Sequence, residues 1–162
     1  MTAEQNGSLS ARAVADLLGL EPLPFEGGWF RRTFADANCS TILYLMAHGD
    51  GFSAMHQLDG PEILTFAAGS PARNLLLFAD GSSSVRRLGS DLAAGDVPQI
   101  VVEAGVWQGT ETLGSWTLIS ATMAPPYEQE LFHLGSHVEL AAGWPDVAEL
   151  IERLTRPEEH HG

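Results

Sequence analysis

Met55-His56-Gln57-Leu58-Asp59-Gly60-Pro61-Glu62-Ile63-Leu64-Thr65-Phe66-Ala67-Ala68-Gly69 is the stretch that decides the fold. Asp59-Gly60-Pro61 is turn chemistry, and a short β-prone run, Glu62–Phe66, follows it and is closed off before Gly69. The same unit recurs on both sides. Trp29–Phe34, Thr41–Met46, Asn74–Phe78, Ser84–Leu88, Gln99–Val102, Val106–Glu111 and Trp116–Thr122 are short β-prone runs, each ended by Gly, Asp, Asn or Pro. Asp80-Gly81 between two of them is a hairpin signal. Parallel strands need crossover helices of a dozen or more residues, and there is no room for them here. The runs therefore predict an antiparallel sandwich or barrel.

The flanks read differently. Ser10 is placed to cap a short helix with Val14, Leu17 and Leu18 on one face and Gly19 ending it. Pro22 and Pro24 then force extended chain. After the strands, Pro145 suits a first helical turn, and Val147, Leu150, Ile151 and Leu154 form an apolar stripe at helical spacing. With no repeat and no linker, residues 1–162 read as one domain, with 1–9 and 157–162 as flexible tails.

Charge and thiol content exclude whole classes. Twenty-one acids against eight bases give −13, and all eight bases are Arg. Without lysine there is no Schiff-base or P-loop lysine, and the acidic surplus argues against nucleic acid or an anionic membrane as partner. A single cysteine, Cys39, allows neither an internal disulfide nor a multi-thiolate zinc site, and with no base beside it reads as inert. The first twenty residues lack a basic start followed by an apolar block, and the longest apolar run, Ile42 to Ala47, is far too short to span a bilayer. Cytoplasmic localisation is the expectation. G-x-S-x-G, dinucleotide and H-E-x-x-H signatures are all missing.

Two segments carry candidate chemistry. One is His56…Glu62…Gly69; the other is Glu103-Ala104-Gly105-Val106-Trp107-Gln108. They resemble the two motifs of the cupin superfamily: H-x-H, three or four residues, Glu, six residues, Gly; and P-x-G-x-x-H. Further blocks, Glu26-Gly27-Gly28-Trp29-Phe30-Arg31, Ser40-Thr41-Ile42-Leu43-Tyr44 and Ala124-Pro125-Pro126-Tyr127-Glu128, are similar to successive blocks of the cupin-5 subfamily, from about residue 17 to 155. The resemblance implies an all-β double-stranded β-helix, a jelly-roll barrel with short N- and C-terminal helices. It also implies a fold like that of dTDP-sugar epimerases and a homodimer joined through the Gly27-Gly28 strand. The chain departs from the subfamily pattern at Met55 and Gln57, at Gly60-Pro61, at Leu64 and Thr65, and at Arg32 and Glu103.

The metal positions of the superfamily fall on His56, Leu58, Glu62 and Gln108. Leu58 cannot coordinate, and an amide oxygen is a poor ligand for a transition ion. The expectation is no cofactor; the alternative is one divalent transition metal on His56, Glu62 and Gln108. His56 paired with Glu62 inside a barrel suits proton transfer near pH 7. Gln108 and Tyr44 are candidates to hydrogen-bond a developing enolate oxygen, and Arg31 to hold an anionic or carbonyl tail. Trp29, Tyr44 and Trp107 read as core, with one of them, Trp29 above all, offering a stacking wall. His133 and His137 read as surface, and His160 and His161 as tail. The function expected is isomerase- or epimerase-like acid–base chemistry on a small polar carbonyl or sugar-like metabolite. The alternatives are a non-catalytic ligand-binding cupin and a metal-dependent oxygenase or lyase.

Overall fold

The computed structural model describes residues 9–157; most of the two predicted tails, with His160 and His161, lies outside them. Leu9, expected in the first tail, is held, its carbonyl accepting 2.8 Å from the Trp116 indole. Helix α1 (Ala11–Leu18) starts where Ser10 accepts from the Ala13 N–H and stops at Gly19 in the left-handed region, φ +66°. The strands follow: β1 (Glu21–Pro22), β2 (Trp29–Ala35), β3 (Ser40–Ala47), β4 (Ser53–Leu58), β5 (Glu62–Gly69), β6 (Ala72–Leu77), β7 (Ser83–Leu88), β8 (Gln99–Val102), β9 (Trp107–Thr112), β10 (Trp116–Met123) and β11 (Phe132–Leu134). Two short helices close the described chain, α2 (His137–Gly143) and α3 (Ala148–Arg153).

The strands form two antiparallel sheets, ordered β1-β2-β3-β10-β5-β8 and β11-β4-β9-β6-β7. From β3 to β6 the chain changes sheet at every step, and it does so again from β7 to β10. This is the jelly-roll winding that the sequence predicts. It puts β4 and β5, consecutive in sequence, on facing sheets.

The central strands of both sheets are covered outside as well as inside. Tyr44 and Met46 of β3 face the inter-sheet core with Leu64, Leu76, Ile100 and Ile119. Leu45 between them points outward, under α1, with Val14, Trp116 and Leu118. On the other sheet, Met55, Leu75 and Leu77 point outward beneath Leu140, Ile151 and Leu154 of the C-terminal helices. Strands buried on two faces lose the apolar–polar alternation of a half-exposed sheet. That is why β4, Ser-Ala-Met-His-Gln-Leu, is the strand the periodicity passes over: it has no β-branched residue and is buried almost throughout. Helix α2 is missed for a related reason, being seven residues with only Leu140 buried.

One detail of α1 departs from expectation. Leu17 is 71% exposed, while Ala15 takes the buried place beside Val14. Leu17→Glu is therefore expected to change stability by no more than about 0.5 kcal/mol. Leu45→Ala, at a site with no solvent exposure, is expected to cost about 2–5 kcal/mol. Denaturant unfolding of the two variants measures both, and a costly Leu17→Glu would reject the helix orientation.

Candidate functional site

Between the sheets lies a cavity of about 340 Å³, within the roughly 300–1,000 Å³ of small-molecule sites. Its wall is mainly apolar, including Leu23, Ile42, Met46, Leu58, Leu64, Ile119 and Met123. Of the polar lining residues, Ser53, His56, Gln108 and Thr110 are buried and mark the inner end, while Arg32 and Gln129 are exposed. His56 of β4 stands directly opposite Gln108 of β9 in the sheet register. Glu62 enters from the facing sheet at the start of β5, and the Gln108 amide donates to its Oε1 across 3.0 Å.

The nearest carboxylate to His56 is neither Glu62 nor any strand residue. Glu26 Oε1 lies 3.2 Å from His56 Nε2, with their side chains 15% and 4% exposed. The same oxygen accepts from Ser53 Oγ at 3.2 Å. His56 Nδ1 is 2.8 Å from the Ala54 carbonyl, which can only accept. Nδ1 therefore carries a proton, and Nε2 is the basic nitrogen. A single proton shared between Nε2 and Glu26 satisfies the contact, either as Glu26–OH to neutral imidazole or as imidazolium to carboxylate. Phe132 stacks on the imidazole at 5.1 Å, fixing the ring plane.

Burial dominates the titration of all three groups. It pushes Glu26 up to about 7 against the pull of the Ser53 hydrogen bond and the Arg156 charge. It pushes Glu62 up to about 7 as well, with His56 opposing and Glu26 adding to the rise. It holds His56 below its ordinary value, opposed by Glu62 and by the Ala54 carbonyl.

Glu26 reaches this place because its loop is folded tightly onto β3 and β4. Gly27 and Gly28 have φ of +97° and +72°. A Cβ on Gly27 would stand 2.6 Å from the Phe52 carbonyl and overlap the Arg156 guanidinium; one on Gly28 would stand 2.7 Å from the Tyr44 hydroxyl. The freed space is used. Tyr44 donates to the Gly27 carbonyl at 2.5 Å, and the Glu26 carbonyl accepts from the Ala54 N–H at 2.9 Å. Arg156 donates to the carbonyls of Glu26, Asp50 and Phe52 and lies 4.1 Å over the Phe52 ring.

Residues 12–135 match the family model Cupin_5, described as Cupin superfamily (DUF985). The chain belongs to this cupin family. It is similar to protein SO0799 from Shewanella oneidensis, 28% identical with a TM-score of 0.84, over 93% of this chain and 99% of that one. A hypothetical protein from Leishmania major is 18% identical with a TM-score of 0.83, over 92% of this chain and 100% of that one. Oxalate decarboxylase from Bacillus subtilis is 13% identical with a TM-score of 0.60; 87% of this cupin covers 38% of that chain. At those identities the last two show the fold alone. No curated protein matches this cupin.

Of the residues expected at the site, His56, Glu62, Gln108 and Tyr44 line the cavity and Arg31 and Trp29 do not. Successive side chains of a strand point to opposite faces. Phe30 and Arg32 of β2 line the cavity, so Arg31 is turned outward and exposed. Trp29 likewise packs on the outer cluster under α1. Trp107 packs beneath the C-terminal helices. Tyr44 and Gln108 reach the cavity; the Tyr44 hydroxyl is bonded to Gly27, and one of the two Gln108 amide hydrogens is bonded to Glu62. His133 and His137 are exposed as expected, His133 paired with Asp59 at 3.0 Å. Glu26 is the functional candidate the sequence reading passes over. Its signal is the pair of glycines after it, which the reading assigned to a dimer-forming strand; β2 begins only at Trp29, and both glycines are packed against Arg156 and Tyr44.

The one basic nitrogen of His56 faces Glu26, Leu58 has no donor, and Gln108 presents its N–H to Glu62. Among the described residues no three His, Cys, Asp or Glu side chains gather as a ligand set. No described helix is long and apolar enough to cross a membrane.

The two raised carboxyls give the fold a pH signature. Glu62 sits at about 7 against an ordinary 4.5, so the folded state holds its proton more tightly than the unfolded chain. Its contribution to stability is complete below pH 4.5 and is lost as pH rises through about 7. His56, held below 6.5, contributes in the opposite sense, with stability lost as pH falls. Glu62→Gln removes the first effect and, by removing a charge that supports the imidazolium, deepens the second in the same direction. Its stability relative to the natural protein should rise by up to about 3 kcal/mol between pH 4.5 and 8. Thermal unfolding at the two pH values measures it, and a pH-independent difference would place Glu62 in water.

Proposed function

We propose that this cupin is a metal-independent enzyme of the isomerase or epimerase class, moving a proton beside the carbonyl of a small molecule held in the inter-sheet cavity. The observation that carries the reading is the Glu26–His56 contact of 3.2 Å at the buried end of an apolar cavity. Both carboxyls sit near 7, so each is available as acid and as base at neutral pH. The Oε2 atoms of Glu26 and Glu62 have no hydrogen-bond partner among the described residues.

The step balances with these groups alone. Glu62 carboxylate takes the proton from the carbon beside the carbonyl. The C–H electron pair becomes the enol double bond. Protonated Glu26 gives its proton to the carbonyl oxygen, and His56 Nε2 supplies that proton to Glu26 in turn. Protonated Glu62 then returns the proton to the same carbon, on its other face once the intermediate has turned over, or to the former carbonyl carbon of an α-hydroxy carbonyl compound. Glu26 carboxylate takes back the O–H proton, which restores both carboxyls and releases the isomer. Tyr44 acts through Glu26, holding its loop by way of the Gly27 carbonyl.

Deuterium incorporation from heavy water into a panel of 2-oxo acids and ketoses, followed by proton NMR, tests the reading. Exchange is expected with the natural protein, and a fall of about 100-fold or more with Glu26→Gln and with His56→Ala, the ordinary worth of a positioned acid or base. A second reading, ligand binding without turnover, is favoured by the mainly apolar wall of the cavity and by the commitment of the Tyr44 hydroxyl to the Gly27 carbonyl. It wins where no substrate exchanges and His56→Ala only weakens binding. Elemental analysis of protein purified without added ions should find no stoichiometric transition metal; one equivalent of iron, nickel, manganese or zinc per chain would overturn the metal-free reading.

The proposal includes a homodimer. β2 pairs with β1 only at Trp29 and Phe30, so Arg31–Ala35 have a free strand edge, a liability that a second copy covers by strand pairing. Sedimentation at micromolar concentration is expected to give twice 17.4 kDa, and a monomer rejects it.

A further inference from the structure

Arg32 is a charged lining residue to which the acid–base chemistry assigns no task. It is exposed, so it stands at the cavity rim, together with Phe25 and Gln129. Arg12, Arg73, Arg87 and Arg153 each meet a carboxylate within 4 Å, whereas among the described residues Arg32 meets none. In a chain with 21 acids and eight arginines, an arginine at the rim of an apolar cavity without an acid beside it is available to a ligand.

The sheet register shows what lies between this cation and the reactive end. Arg32 is opposite Ile42, Ile42 is opposite Ala121, and Ala121 is opposite Leu64. Ile42, Ala121 and Leu64 all line the cavity, so one apolar row crosses the sheet from Arg32 toward β5. Glu62 begins that same strand. β2 and β5 are three strand steps apart, about 14 Å at roughly 4.8 Å per step.

Resting on the acid–base reading, we infer that the ligand is an amphipathic monocarboxylate. Its carboxylate pairs with the Arg32 guanidinium at the rim. Its apolar body lies along Ile42, Ala121 and Leu64. Its carbonyl or hydroxyl oxygen reaches Glu26 and Glu62. One rim cation balances one negative charge, and the two buried carboxyls repel a second, which disfavours diphosphates and dicarboxylates. An arginine suits a carboxylate because its fork donates two parallel hydrogen bonds.

Calorimetric titration with octanoate, octanamide and 7-oxooctanoate tests this on the full chain, its Arg32→Gln variant and its Arg31→Gln variant. Octanoate is expected to bind the natural protein about tenfold tighter than the neutral amide, the ordinary worth of a charge-assisted pair. 7-Oxooctanoate, with a ketone for the buried end, should bind tighter still. Arg32→Gln should erase the preference for the acid, and Arg31→Gln, whose arginine points outward, should keep it. Equal binding of octanoate and octanamide, the same loss in both variants, or no binding of any probe overturns the inference. Octanoate has no ketone and needs no turnover, so this outcome is independent of the deuterium-exchange result.

Discussion

A carboxyl group taken out of water into an apolar cavity has to hold a proton or find a partner, because an isolated buried charge is too costly to keep. This cupin buries two of them, Glu26 and Glu62, in the wall of the cavity that His56 also lines. Much of the local architecture answers that requirement. Gln108 donates to Glu62, and Ser53 and the imidazole meet Glu26. Neither partner is a full positive charge held permanently, so neither carboxyl is locked as an anion. A strong ion pair would have driven them well below 4.5 and removed their use as acids at neutral pH. Weak neutral partners leave them near 7, where a proton can be gained and lost.

The clasp around the Glu26 loop follows from the same constraint. A loop carrying a group that prefers water would move outward unless held. Arg156 holds it through three backbone carbonyls rather than through the carboxylate. It is thus a structural cation that lowers the Glu26 value only at a distance. Tyr44 and the glycine pair complete the fastening, so the cost of burial is offset by hydrogen bonds made to the main chain. Fastening through backbone leaves the Glu26 side chain free to change its protonation state without unmaking its anchor.

Turn punctuation made most of the strands legible. Asp80-Gly81 joins β6 and β7 as a hairpin, with the Gly81 N–H donating to Phe78. Runs such as Thr41–Met46 needed only their boundaries. What the sequence hid was where burial acts on both faces of a strand. β4 carries His56 inward and Met55 outward, each fully packed, and a strand with two cores has no period to read. Its role had to be inferred from the spacing of His56 to Glu62 and Gly69.

The site was legible to the extent that its residues lie on the jelly-roll strands, because spacing within those motifs is itself a statement about register. Glu26 lies outside that logic. It comes from a loop about thirty residues upstream, and only the packing of two left-handed glycines brings it to His56. Arg31 and Arg32 show the limit from the other direction. Both are basic, both follow the same glycines, and a one-residue shift of phase along β2 exchanges the cavity for the outer surface. The motif blocks were enough to find the strand and could not assign that phase. The register does: Arg32 falls opposite Ile42, whose side chain lines the cavity, and Arg31 opposite Leu43, which packs toward α1. Local sequence therefore specifies which groups are near the site. The facing row of the neighbouring strand decides which of them can touch a ligand.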